Sequence, residues 1–143
     1  MESTWFVVAD RSQAQLFEVN GSRMKPTLVP IETLESLERA RSDRRGLLSS
    51  ASGRRDLLAE NRSAQDEQDH KFVRQLVERL AQAQHQRQFG RLVIAAPADF
   101  VGKLREATRG ALQKAVVREI IGDYTNDTVH ALQERARRHE WLH

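Results

Sequence analysis

"TWFVVAD", residues 4–10, holds five apolar residues in a row between a threonine and an aspartate. A strand with one wet face alternates apolar and polar side chains, whereas a strand covered on both faces does not. The stretch therefore predicts a β-strand in the middle of a sheet, with a layer packed on each side. "RLVIAAP", residues 91–97, repeats the pattern and predicts a second central strand.

The rest of the chain sorts itself around these two runs. After the turn "RSQ", the stretch "AQLFEVN" alternates, with Ala14, Leu16 and Glu18 on one side and Phe17 and Val19 on the other. Asn20-Gly21 is a hairpin turn signal. "RMKPTLVPIE" then predicts a third strand. Pro26 and Pro30 cannot donate to a ladder, which places that strand at a sheet edge. From residue 40 to residue 63 no period is sustained, which is long for a connection inside a compact domain.

Order returns at Ser63 and Asp66, whose spacing predicts a helix cap, with Asp66, Glu67 and Asp69 in the first turn, where the helix dipole favours negative charge. Phe72, Val73, Leu76, Val77, Leu80 and Ala83 trace one helical face up to a stop at Gly90. Pro97 opens another helix with Phe100, Val101, Leu104 and Ala107 inward, breaking near Gly110. "ALQKA" adds a helical turn or two, and "VVREIIG" is a last strand. Thr125 or Asn126 then caps a terminal helix with Val129, Leu132 and Ala136 facing in.

Three antiparallel strands followed by alternating helix and strand imply an α/β fold with a mixed five-stranded sheet and helices on both faces. Right-handed crossovers give the order 3-2-1-4-5, the ribonuclease-H-like topology. With 143 residues, the chain 1–143 reads as one domain.

Hydrophobic residues make up 39% and charged residues 30%, the balance of a chain with a solvated surface. No run approaches the length of a membrane span. "MESTWFVVAD" lacks a basic stretch ahead of its apolar run and a small-residue cleavage site after it, so a cytoplasmic location is expected. With no cysteine there is no disulfide, thiolate metal site or cysteine nucleophile. The net charge is +3, and its distribution matters more than its size. Arg39, Arg41, Arg44, Arg45, Arg54, Arg55 and Arg62 are offset only by Asp43, Asp56 and Glu60, and Arg135, Arg137, Arg138 and His139 form a second cluster.

"TWFVVADRSQAQLFEV", "AQDEQDHKFVRQLVERL", "FGRLVIAAPADFVGKLREA" and "VVREIIGDYT" occur in that order. Together they resemble the bacterial host-attachment protein family, proteins required for attachment to host cells. That family is similar to the middle domain of the peptide-chain release factors of eukaryotes and archaea, and the resemblance implies the same mixed α/β topology. The release-factor domain carries a Gly-Gly-Gln tripeptide in a loop ahead of its long helix. Here the corresponding region has Gly46 and Gly53 but no such tripeptide, and "SGRRDL" is its nearest counterpart. Peptidyl-tRNA hydrolysis is therefore not carried over, while the resemblance leaves RNA or ribosome association open.

Three candidate functions follow. In the first, the chain is a non-enzymatic binding module, and Arg41, Arg44, Arg45, Arg54 and Arg55 in the basic loop contact phosphates of RNA or of the ribosome. A plainer account is a solvated loop, since no aromatic residue interleaves there to stack on bases. In the second, Asp10, Asp99 and Asp123 each follow a parallel strand, gather at one sheet edge and hold a divalent metal for phosphodiester hydrolysis. Against this, each has an ordinary structural task in a turn, a helix first turn or a cap, so the expected metal set is none. In the third, Leu47-Leu48, Leu57-Leu58 and the terminal helix make protein contacts, a homodimer among them. Trp5 belongs in the core, and Trp141 packs back on the domain or onto a second protomer. The five histidines read as surface residues. Nucleophile-elbow, phosphate-loop and dinucleotide motifs are absent, and no cofactor is expected.

Overall fold

The computed structural model describes residues 3–37, 39 and 58–143, and for residues 58–63 the backbone. The arginines at 41, 44, 45, 54 and 55 and the Leu47-Leu48 pair lie outside the described residues. Five strands and four helices occur among those described: β1 (Thr4–Ala9), β2 (Gln13–Gly21), β3 (Pro26–Glu35), α1 (Leu58–His85), β4 (Arg91–Ala96), α2 (Ala98–Ala107), α3 (Gly110–Ala115), β5 (Val116–Ile121) and α4 (Val129–Arg138). The strands form one sheet in the order β3-β2-β1-β4-β5. β1 pairs with β2 antiparallel and with β4 parallel, and β5 continues parallel to β4. The expected fold class and strand order are those observed.

The unbroken apolar runs sit where their composition demands. Trp5 to Ala9 and Leu92 to Ala96 are all buried. Alternate side chains enter two separate cores. Trp5, Val7, Ala9, Leu92 and Ile94 meet Phe72, Leu76 and Leu80 of α1 and Phe100 and Leu104 of α2. Phe6, Val8, Val93 and Ala95 meet Leu132 and Ala136 of α4, closed by Trp141 and Leu142. Each large side chain so buried contributes about 1.5–3 kcal/mol of transfer free energy. β2 divides as its alternation predicts, Ala14 and Leu16 to the first core and Phe17 to the second.

β3 is an edge strand, as its prolines require. Pro30 sits opposite Phe17 at a bulge, where the register shifts between Leu16 and Phe17. A missing donor costs least at such a position. The hairpin turn differs from the sequence expectation. Asn20 and Gly21 are the last paired residues of β2, opposite Thr27 and Pro26, and Ser22–Lys25 make the loop. Gly21 still supplies the left-handed backbone, at φ +80°.

Two helix starts also differ. α1 begins at Leu58, so residues 58–63 are helix and not loop, and Ser63 is interior. "LAENRSAQ" has no proline or glycine and is rich in helix formers, so propagation wins over the capping preference of one serine. Asp66, Glu67 and Asp69 therefore lie beyond the first turn. At the other end of the chain, Thr128 caps α4, its hydroxyl accepting from the Ala131 amide. Thr125 is buried elsewhere, and Val129 is exposed.

Candidate functional site: the carboxyl edge of the sheet

β1, β4 and β5 run parallel, so their carboxyl ends share one edge, the usual ligand position in open α/β sheets. Asp10, Asp99 and Asp123 all follow these strands, but they do not converge on one point. Asp10 caps the β1–β2 turn. Its Oδ1 accepts from the amides of Ser12 (2.7 Å) and Gln13 (2.9 Å). Its Oδ2 accepts from the Thr125 hydroxyl at 2.8 Å. Asp123 Oδ1 lies 3.0 Å from the same hydroxyl. A threonine hydroxyl has one proton, so it serves one of these carboxylates at a time.

Asp99 belongs to a different set. Its Oδ2 accepts from Arg11 Nη2 at 3.2 Å, and its Oδ1 faces the Phe100 amide at 2.9 Å, in the first turn of α2. Arg11 also stands 3.9 Å from Asp69, whose side chain is 2% exposed. Asp69 takes its main partners from Lys103 Nζ at 3.1 Å and Gln65 Nε2 at 2.8 Å. Lys103 reaches Asp66 as well, at 3.5 Å. Burial opposes the charge on Lys103, but the Asp69 and Asp66 carboxylates outweigh it and hold the ammonium above the ordinary lysine pKa. Among the described residues no three His, Cys, Asp or Glu side chains are grouped to hold a metal ion.

By sequence Asp69 reads as a helix first-turn acid and Thr125 as a helix cap, and neither they nor Lys103 read as residues of this edge. Asp69 was legible in principle, because it falls three and four residues before Phe72 and Val73, on the buried stripe of α1. An acid there needs a cation from a neighbouring element. Thr125 left no such signal, since its partner Asp10 is 115 residues away.

The strand that leads into the basic segment ends at this edge. The Ser36 amide donates to Ser12 O at 2.8 Å, which fastens the end of β3 beside the β1–β2 turn. On the far side, Asp69 ties α1 to the edge through Lys103 and Arg11. Leu58 begins that helix eleven residues earlier, about 16 Å along its axis. The described part of the edge is acid-rich, with Asp10, Asp66, Asp69, Asp99 and Asp123 against Arg11 and Lys103.

The remaining sequence candidates are placed as follows. All five histidines are exposed. Trp141 and Leu142 pack back on their own domain, with Trp141 5.1 Å from the Tyr124 ring and 6.1 Å from Phe6 between centroids. Arg135 is paired with Asp127 at 2.7 Å and lies over Tyr124. Arg137 pairs with Glu134 and holds that carboxyl below its usual range. No described helix is long and apolar enough to cross a membrane.

Strand order and the two-sided core define a mixed α/β domain with helices on both faces of its sheet. The crystal structure of the archaeal translation termination factor aRF1 matches with a TM-score of 0.51 and 13% identity, over 93% of this chain and 37% of that one. A structure described as an archaeal protein matches at 0.51 and 11%, over 96% of this chain and 36% of that one. At such identities the likeness is one of fold, and the chain spans just over a third of each structure. The sequence matches the family described as "Protein required for attachment to host cells" over residues 5–135, and the chain belongs to that host-attachment family. Among curated proteins none matches this sequence.

Proposed function

We propose that this chain is a non-enzymatic, cytoplasmic binding module that associates with RNA, and with the ribosome in particular, through Arg41, Arg44, Arg45, Arg54 and Arg55. The observation that carries this is the placing of the basic segment. It is the connection between β3 and α1, in a fold shared with a protein described as a translation termination factor. Guanidinium groups pair with phosphate oxygens in a fork, so five of them in one segment suit a polyanion. The described acid-rich edge repels phosphate. The attraction therefore has to come from the segment itself, which makes its arginines decisive.

Retention of the purified protein on immobilised ribosomal RNA tests the proposal. Wild type is expected to bind at low salt and to elute as salt rises, because displaced counterions return to the RNA. A variant with all five arginines changed to alanine is expected to pass through. Equal retention of that variant would overturn the proposal.

A further inference from the structure

The opposite edge of the sheet carries a second candidate, independent of the basic segment. A cleft of about 590 Å³ opens there beside the β2–β3 loop, and Thr4, Asn20, Ser22, Arg23 and Arg91 supply its polar wall. Val19, Pro26 and Leu142 supply the apolar remainder. Thr4 lies opposite Val19 of β2 on one side and opposite Arg91 of β4 on the other, so the three form one row across the ladder. Among the described residues no lining residue is an acid, and every side-chain polar group named can donate a hydrogen bond.

The arginines matter most. Arg11, Arg39, Arg79, Arg105, Arg135 and Arg137 all stand within 4.0 Å of a carboxylate. Arg23 and Arg91, like Arg74, Arg87, Arg109, Arg118 and Arg138, stand within that distance of no Asp or Glu side chain among the described residues; what sets these two apart is that they line one cleft. Arg91 spends one N–H on the main-chain oxygen of His143 at 3.2 Å, which orients the guanidinium and leaves its other donors. The walls are also fixed in advance. The His143 ring nitrogen donates to Arg23 O at 2.7 Å and ties the β2–β3 loop to the terminal segment. That segment is itself held by the buried Trp141 and Leu142 and by Arg118 Nη1, which donates to Glu140 O at 2.6 Å. A prearranged cleft loses less freedom when a ligand arrives.

We infer that this cleft binds a phosphate monoester, through Arg23 and Arg91 with hydroxyl and amide donors from Thr4, Ser22 and Asn20. A monoester carries close to two negative charges at neutral pH and several acceptor oxygens, which matches two guanidinium groups and side chains that can each donate a hydrogen bond. The same group occurs on a free nucleotide and on the 5′ end of an RNA chain.

Backbone-amide NMR titration separates these sources and tests the inference. The probes are AMP, an RNA hexamer with a 5′-phosphate and the same hexamer with a 5′-hydroxyl. AMP is expected to shift the amides of Thr4, Asn20, Gly21 and Arg91 saturably, in wild type and in the five-arginine segment variant alike. If the 5′-phosphate hexamer does the same and the hydroxyl form does not, the cleft takes RNA ends as well as free nucleotide. Arg23→Ala lies on an exposed loop and leaves the core untouched, and it is expected to weaken AMP about tenfold. Arg91→Gln is expected to weaken it at least as much, with an unchanged melting temperature as the control for folding. Absence of saturable shifts at these amides, or unchanged AMP affinity in Arg23→Ala, would overturn the inference. Because AMP is tested in the segment variant too, failure of the proposed RNA contact at residues 41–55 would leave this result standing, and the reverse.

Discussion

The Thr125 hydroxyl donates to Asp10 Oδ2 at 2.8 Å, joining the loop after β5 to the turn after β1 across 115 residues of chain. Thr125 is 4% exposed. Removing its donor leaves carboxylate lone pairs in a partly covered site, which costs about 1–2 kcal/mol. Thr125→Val is expected to lower the melting temperature by roughly 4–6 °C for a chain of this size, while Thr125→Ser, which keeps the hydroxyl, avoids most of that loss. The two neighbouring acids should not be equivalent. Asp10 receives two amides as well as the hydroxyl, so Asp10→Ala is expected to destabilise clearly more than Asp123→Ala. Equal losses in thermal denaturation would contradict this division.

The pair Asp69 and Lys103 ties α1 to α2. Lys103→Met leaves a carboxylate that is 2% exposed with Gln65 and an arginine at 3.9 Å. The usual cost of such a loss is about 3–5 kcal/mol; with Lys103 itself 19% exposed, about 2 kcal/mol is expected in urea unfolding at pH 7.

The same pair has a pH signature. The folded state holds the Lys103 pKa above its ordinary value. Its contribution is therefore complete below the unfolded lysine pKa of about 10.4 and is lost as pH rises through the folded value. Wild type should lose its advantage over Lys103→Met across that alkaline window. A constant difference from pH 8 to 11.5 would contradict the assignment.

Gly21 has φ +80°, and a Cβ there would stand 2.5 Å from the carbonyl oxygen of Lys25. Both the backbone conformation and the contact oppose a side chain. Gly21→Ala is expected to cost about 2 kcal/mol and to loosen the β2–β3 loop, read as faster amide exchange at Ser22–Lys25. An unchanged melting temperature would show that the loop can be redrawn freely.

Trp141 closes the second core against Phe6, Tyr124 and His139, at centroid distances of 6.1, 5.1 and 5.7 Å. Trp141→Ala is expected to cost about 3 kcal/mol, and Trp141→Phe less than half of that. If the residue served a second protomer instead, the alanine variant would change the sedimentation coefficient and leave monomer stability alone.

Most of the fold was legible because it rests on short-range signals. The runs at Trp5–Ala9 and Leu92–Ala96 state two-sided burial outright, and Pro26 and Pro30 state an edge. The start of α1 was missed because Ser63 is a good cap, and capping competes with propagation through helix-forming residues that follow no visible boundary. The α4 cap was misplaced by a few residues for a related reason: Thr125, Asn126 and Thr128 are all eligible, and only tertiary contacts draw Thr125 away to Asp10. The parallel strands told that Asp10, Asp99 and Asp123 share an edge. They did not tell that Arg11 claims Asp99 while Thr125 joins the other two. Such partners come from elements far apart in the chain, and no local period records them.

The central claim is that residues 41–55 carry the polyanion contact. Its most direct test is the salt dependence of affinity for a single-stranded RNA dodecamer, measured by anisotropy between 50 and 200 mM salt. Each phosphate contact contributes about 0.7 to the slope of log affinity against log salt on a single strand. Changing Arg41, Arg44, Arg45, Arg54 and Arg55 to alanine is expected to lower that slope by roughly 2–3.5 and to weaken binding in low salt. An identical slope and affinity in the two proteins would contradict the account.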